Sequence, residues 1–131
     1  MNDIDVATTL EFIQVYRGSG DEPGAEIRGG NVHVSSLYIS ECENTSLNFR
    51  SSDSEFTGSL QFVIIQSSEF PSKNDQDFTA RDQSEFTISN LTMIGAGRTS
   101  TPDELSAIRM RSDVNYSFYN TLIAAYNNDG L

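Results

Sequence analysis

Five apolar, alternating segments recur along this chain, and no arrangement that ignores their return can fold it. They run Leu10 to Val15, Val32 to Ile39, Leu60 to Ile65, Phe86 to Met93 and Tyr116 to Ile123. Aligned on Ile13, Leu37, Val63, Leu91 and Thr121, they are spaced by 24, 26, 28 and 30 residues. Two positions further on stand Val15, Ile39, Ile65, Met93 and Ile123; three positions earlier stand Leu10, Val34, Leu60, Ile88 and Phe118. Thr121 alone breaks the apolar character of these columns. Period-two alternation that returns at such intervals predicts a strand coming back to the same place.

A shorter strand follows in each of the first four units: Ala25-Glu26-Ile27-Arg28, Leu47-Asn48-Phe49-Arg50, Phe78-Thr79-Ala80-Arg81 and Ile108-Arg109-Met110-Arg111. Apolar residues fill the first and third places, and arginine fills the fourth each time. Four of the eight Lys and Arg residues therefore share one column. The tetrapeptide Ser54-Glu55-Phe56-Thr57 reappears as Ser84-Glu85-Phe86-Thr87, two residues out of register with the columns. That offset predicts a bulge or a longer corner near Gly58.

The physical reading is an all-β solenoid, a right-handed parallel β-helix of about five coils in one domain of 131 residues. The coils are 10–31, 32–57, 58–85, 86–115 and 116–131, with 1–9 draped over one end. Parallel strands lie about 4.8 Å apart, so inward side chains stack on their own equivalents. Glu11, Gln14, His33, Tyr38, Gln61 and Thr92 then face solvent. A leucine-rich repeat lacks its asparagine and leucine ladder here. A β-sandwich is the alternative, but it leaves the arginine column unexplained. The stretch with most helical character, Pro102 to Met110, is short.

Loops after the long strands, Arg17–Gly24, Glu41–Thr45, Glu69–Gln76 and Gly97–Leu105, vary in length and hold all three prolines. Insertions of this kind project from one edge of a solenoid. The opposite corner is tighter and holds Gly29-Gly30, Asp53, Asp82 and Asp113, residues suited to unusual backbone angles. No amphipathic cap helix is evident at either end. Uncapped coils leave strand edges bare, which predicts that one end is covered by another protein chain, by further coils or by a second copy through self-association.

Composition excludes several classes of partner. Net charge is −11 and the isoelectric point is near 4.2, which opposes nucleic acid or an anionic membrane. No apolar run approaches the 18 residues of a membrane-spanning helix, so no membrane insertion is expected. The acidic start, Met1-Asn2-Asp3-Ile4-Asp5, is no secretory signal. One cysteine, Cys42, excludes an internal disulfide, and with His33 it supplies only two zinc ligands.

The repeats resemble a family of bacterial surface proteins and lipoproteins with parallel β-helix repeats. The resemblance rests on Leu10-Glu11-Phe12-Ile13-Gln14-Val15-Tyr16, on Glu26 to Val34, on Ile88 to Gly95, on Ala107 to Arg111 and on Tyr119 to Ile123. It implies the β-helix fold and an extracellular, cell-surface or virion location, since similar short β-helices serve as phage tail and virion-surface modules. It implies no reaction. The lipidation cysteine and further coils of longer members are lacking.

Candidate chemistry is sparse, and no catalytic residue is assigned. The acidic pairs Asp75/Asp77, Asp82/Glu85 and Asp103/Glu104 read as solvated loop charge. A polysaccharide-cleaving pair would need one acid raised in pKa by burial, and none stands in an apolar setting. Calcium, the hard cation that carboxylates suit, is the metal to consider, with Asp75 and Asp77 as weak ligands and no cofactor otherwise. Cys42 reads as a small buried thiol.

The arginine column Arg28, Arg50, Arg81 and Arg111 carries the most information. It reads as a stripe gripping carboxylates of an acidic glycan or a partner. Alternatively it is structural, with Glu26, Asp53, Asp82 and Asp113 neutralising it across coils. Tyr16 and Tyr38, with Phe62, Tyr119 and Tyr126, read as an exposed strip for sugar stacking or subunit contact. The expected function is a non-enzymatic structural or interaction module; a carbohydrate-binding or carbohydrate-cleaving domain is the second reading.

Overall fold

The three apolar columns are hydrogen-bonded neighbours. In a computed structural model the protein is described over residues 7–18, 20–50, 55–68, 76–97 and 106–126. Five long strands, β1 (Thr8–Tyr16), β3 (Gly30–Ser40), β5 (Phe56–Gln66), β7 (Ser84–Ile94) and β9 (Val114–Ala124), form one parallel sheet in that order. Four short strands, β2 (Ala25–Arg28), β4 (Leu47–Arg50), β6 (Gln76–Arg81) and β8 (Ser106–Met110), form a second. Ile13, Leu37, Val63, Leu91 and Thr121 are consecutive Cα partners, as are the Val15 and Leu10 columns. Odd strands in one sheet and even strands in the other are the signature of a chain winding around one axis.

The stack is shorter than five complete coils. The short sheet spans three full turns, from β2 to β8, and the long sheet takes one more step to β9. Thr8 and Thr9 already pair with Val32 and His33, so β1 reaches into the segment expected to drape. The short strand read over Ile108 to Arg111 is present, and the weak helical pattern of Pro102 to Met110 forms no helix among the described residues. Residues 102–105 lie outside the described residues, and Ser106–Met110 is strand β8, because Ile108 fills the inward column of Leu47 and Phe78. Tertiary pairing overrides a weak local helical pattern here.

Each long strand carries one residue with positive φ at its middle: Phe12 (55°), Ser36 (61°), Phe62 (56°), Asn90 (56°) and Asn120 (51°). This residue makes no ladder pair, and it shifts the inward alternation by one place. In β3 the buried apolar residues are Val32 and Val34 before it, then Leu37 and Ile39 after it. The left-handed region disfavours a side chain with a Cβ, least so for asparagine. Asn120 Nδ2 donates to Asn90 Oδ1 at 3.2 Å, so the last two rungs stack their amides at this bend. Phe62 occupies the next place down with its ring exposed. Phe62→Asn should therefore stabilise the fold by about 1 kcal/mol, by relieving φ strain and extending the amide stack. A lowered urea midpoint would refute that account.

Inside, Phe49, Phe56, Phe78 and Phe86 pack ring against ring, with centroids 4.6 to 6.3 Å apart. Gly58 makes this possible. It pairs with Val32 on one side and Phe86 on the other, in an unbroken ladder. A Cβ there would press on the Val32 carbonyl oxygen and the Phe56 ring. No bulge therefore sits at Gly58. The longer corner lies upstream: six residue steps separate Arg50 from Phe56, against three from Arg81 to Ser84, the ladder partner of Phe56, and the first tetrapeptide starts at Ser54, two residues before Phe56, which is the offset. The tight corner has the expected positive φ at Gly29, Gly30, Asp82 and Asp113, and at Gln83 too; Asp53 lies outside the described residues.

Candidate functional site

Strand alternation on the short sheet points its first and third columns inward, which leaves two columns facing out. One holds Glu26, Asn48, Thr79 and Arg109; the other holds Arg28, Arg50 and Arg81, with Arg111 one residue past the end of β8. Arg111 keeps the register, since its N–H donates to the Ala80 carbonyl at 3.0 Å. The column read from the sequence is thus a physical stripe, and Arg109 joins it from the adjacent column. Like charges at strand spacing repel by about 1 kcal/mol even in bulk water, so the stripe is not neutral to stability.

Neutralisation across coils does not occur among the described residues. Arg28 pairs with Glu26 of its own strand, and Arg81 Nε lies 3.8 Å from Asp82 Oδ2, the next residue. Arg50, Arg109 and Arg111 have no ion pair to a described residue. Strand geometry explains the correction. Asp82 and Asp113 lie past the ends of β6 and β8, beyond the columns that pair between coils, so Asp82 meets the arginine that precedes it in the chain.

Around Arg81, Arg109 and Arg111 the face sinks into a hollow of about 230 Å³, with Asn48, Thr79 and Gln76 among its walls. Asn48 is 7 % exposed and its Nδ2 donates to Glu26 Oε1 at 2.8 Å. Its Oδ1, and Arg81 Nε, are buried atoms without a hydrogen-bond partner. Across the tight corner the sign reverses: Glu55, Glu85 and Asp113 rim a second hollow of about 200 Å³.

The tyrosines lie elsewhere. Tyr16 is exposed at the end of β1, with the Arg17 guanidinium 5.2 Å from its ring centroid. Tyr38 is half-buried on β3, and its hydroxyl donates to Gln66 Oε1 at 3.1 Å. Both belong to the long sheet, so the structure does not bring them to the arginines. Tyr119 and Phe62 are exposed as expected. Tyr126 is not a surface residue: it is partly buried, and its hydroxyl donates to Asp77 Oδ2 at 2.6 Å.

Asp77 is the residue that sequence reasoning misjudged. It is no solvated loop charge but is 4 % exposed, with Ser46 Oγ donating at 2.9 Å and Ser67 Oγ donating to its other oxygen. Burial pushes its carboxyl above the ordinary range, and the hydrogen bonds from Ser67, Tyr126 and Ser46 pull it part of the way back. Burial, then the nearby Asp77 charge, pushes the Tyr126 hydroxyl far upward, so it remains a donor. Cys42 is buried as expected and its thiol is raised, first by burial, which keeps it protonated. Gly24 makes room for its sulfur, where a Cβ would collide. The signal available in the sequence was position: Asp77 shares a column with Ser46 and Ala107, both small and both fully buried.

As a calcium ligand Asp77 would have to give up these hydroxyls; Asp75 lies outside the described residues. Among the described residues, no three His, Cys, Asp or Glu side chains are grouped to hold a metal ion. His33 Nδ1 sits 2.7 Å from Ser59 Oγ on the outer face of the long sheet. No helix among the described residues is long and apolar enough to cross a membrane.

Coils of 24 to 30 residues, two parallel sheets and an apolar interior stacked rung on rung define a β-helix protein. The chain belongs to the pectate-lyase-like β-helix domain family, whose model matches residues 3–130. No curated protein and no solved structure matches the chain.

Proposed function

We propose that the chain is a non-enzymatic structural and interaction module of a cell or virion surface, a β-helix that assembles by stacking on its end rungs. The exterior location follows the resemblance to bacterial surface proteins with β-helix repeats. The observation that carries assembly is the exposure of inward columns at both ends. Leu10 is 39 % exposed, against 1 % for Leu60 in the same column. At the other end Tyr116 is 47 % exposed, against 3 % for Phe86. Strands β1 and β9 each keep one edge unpaired within the described chain, and such edges template further strands.

A cleaving site would need an accessible acid with a raised pKa. The one carboxyl so raised among the described residues, Asp77, is enclosed by hydroxyls. Light scattering tests the assembly. A mass rising with concentration above 14.5 kDa is expected, and Leu10→Lys should reduce it by placing a charge on the first rung. A single 14.5 kDa species at all concentrations, with full β-structure, would overturn stacking.

A further inference from the structure

We propose that the hollow on the outer face of the short sheet is a carboxylate-binding subsite for an acidic segment of a partner polypeptide. Three arginines, Arg81, Arg109 and Arg111, line it, and the latter two have no ion pair to a described residue. Two of its lining residues carry a buried polar atom without a hydrogen-bond partner: Asn48 Oδ1, and Arg81 Nε, which stands 3.8 Å from Asp82 Oδ2 with no hydrogen bond made. The Asn48 amide cannot be turned over to relieve this, because its Nδ2 is held by Glu26 Oε1. Each of these atoms carries the desolvation cost of an unmade hydrogen bond, which a complementary ligand removes.

That complement is specific. Arg81 Nε needs an acceptor, and guanidinium forks favour carboxylates. Asn48 Oδ1 needs a donor. The two residues stand on neighbouring strands, one diagonal step apart, a separation of roughly 7–8 Å between Cα atoms. A glutamate or aspartate side chain and a peptide N–H of the same segment supply both groups over that span. No aromatic ring is among the lining residues to hold a sugar face; the exposed tyrosines belong to the long sheet. The acidic hollow of Glu55, Glu85 and Asp113 bounds the cationic area. A short acidic segment fits such a bounded area better than a polymer of uniform negative charge.

The site stands apart from end-to-end stacking, so Leu10→Lys should leave it intact. The experiment is an NMR titration of the isotope-labelled full chain with a blocked peptide alternating Glu and Gly. Gln-Gly peptide, an oligo-uronate and inorganic phosphate serve as comparison probes. Saturable shifts of the Arg81 Nε–H and Asn48 amide signals are expected with the acidic peptide, and binding about tenfold weaker with the Gln version. Arg109→Gln and Arg111→Gln, both at exposed positions, should each weaken the acidic peptide about tenfold while circular dichroism stays unchanged. Asn48→Ala should weaken the peptide but not inorganic phosphate. Equal binding of the Gln peptide, tighter binding of the oligo-uronate, or wild-type affinity in Arg109→Gln would each overturn the proposal.

Discussion

Phe49→Ala should cost about 3–5 kcal/mol, a large share of the 5–15 kcal/mol that holds a domain folded. The Phe49 ring is fully buried and touches three others: Phe56 at 4.6 Å, Phe86 at 5.0 Å and Phe78 at 5.1 Å between centroids. Those partners come from β5, β7 and β6, so one ring ties the short sheet to the long sheet across successive coils. Its removal leaves a cavity that rigid parallel ladders cannot close, and the edge-to-face contacts are lost with the buried area. Urea unfolding followed by far-ultraviolet circular dichroism measures the loss. A cost under about 1 kcal/mol would mean that the coils hold together without this cluster.

The second large effect belongs to Asp77. Asp77→Ala should cost about 2–3 kcal/mol, because the hydroxyls of Ser46, Ser67 and Tyr126 would lose their common acceptor inside the fold. The pH dependence distinguishes this from simple packing. Burial raises the carboxyl in the folded state above its value of 3.8 in the open chain. The folded state therefore binds that proton more tightly. The resulting contribution is fully present below the unfolded pKa and is lost as pH rises through the raised folded value. Asp77→Asn has no proton to lose, so its stability should gain on the wild type as pH rises from about 4. Parallel stability profiles for the two proteins between pH 4 and 8 would refute this account. Asp77 also ties Tyr126, just beyond β9, to Ser46 and Ser67 of the second and third coils.

Much of this architecture is written in single columns of the sequence. Ile13, Leu37, Val63, Leu91 and Thr121 can be aligned by eye, and they are the residues that pair, because a parallel ladder puts equivalent residues side by side. The bend in each long strand is also encoded, though easily passed over. Leu10 and Ile13 both face inward yet stand three apart, where plain alternation demands an even number. Asn90 and Asn120 mark the same place chemically, but Phe12 and Phe62 disguise it.

The groups on the outer face of the short sheet were legible unevenly. Arg28, Arg50, Arg81 and Arg111 announced themselves by repetition, whereas Arg109 and Asn48 sit in a column of mixed chemistry, Glu26, Asn48, Thr79 and Arg109, that repeats nothing. Repetition reveals what stacks, because a solenoid makes equal positions equivalent. It is silent on what two neighbouring columns do together. The sequence alone settled the winding, the inward columns and the arginine stripe, since each follows from the period of the backbone. Only the tertiary structure decided that Asp77 is enclosed, that the stripe lacks counter-ions across coils, and that Asn48 and Arg81 share one hollow. Burial and unmet hydrogen bonds depend on which loops and columns close over a side chain, and residues far apart in the chain supply that cover.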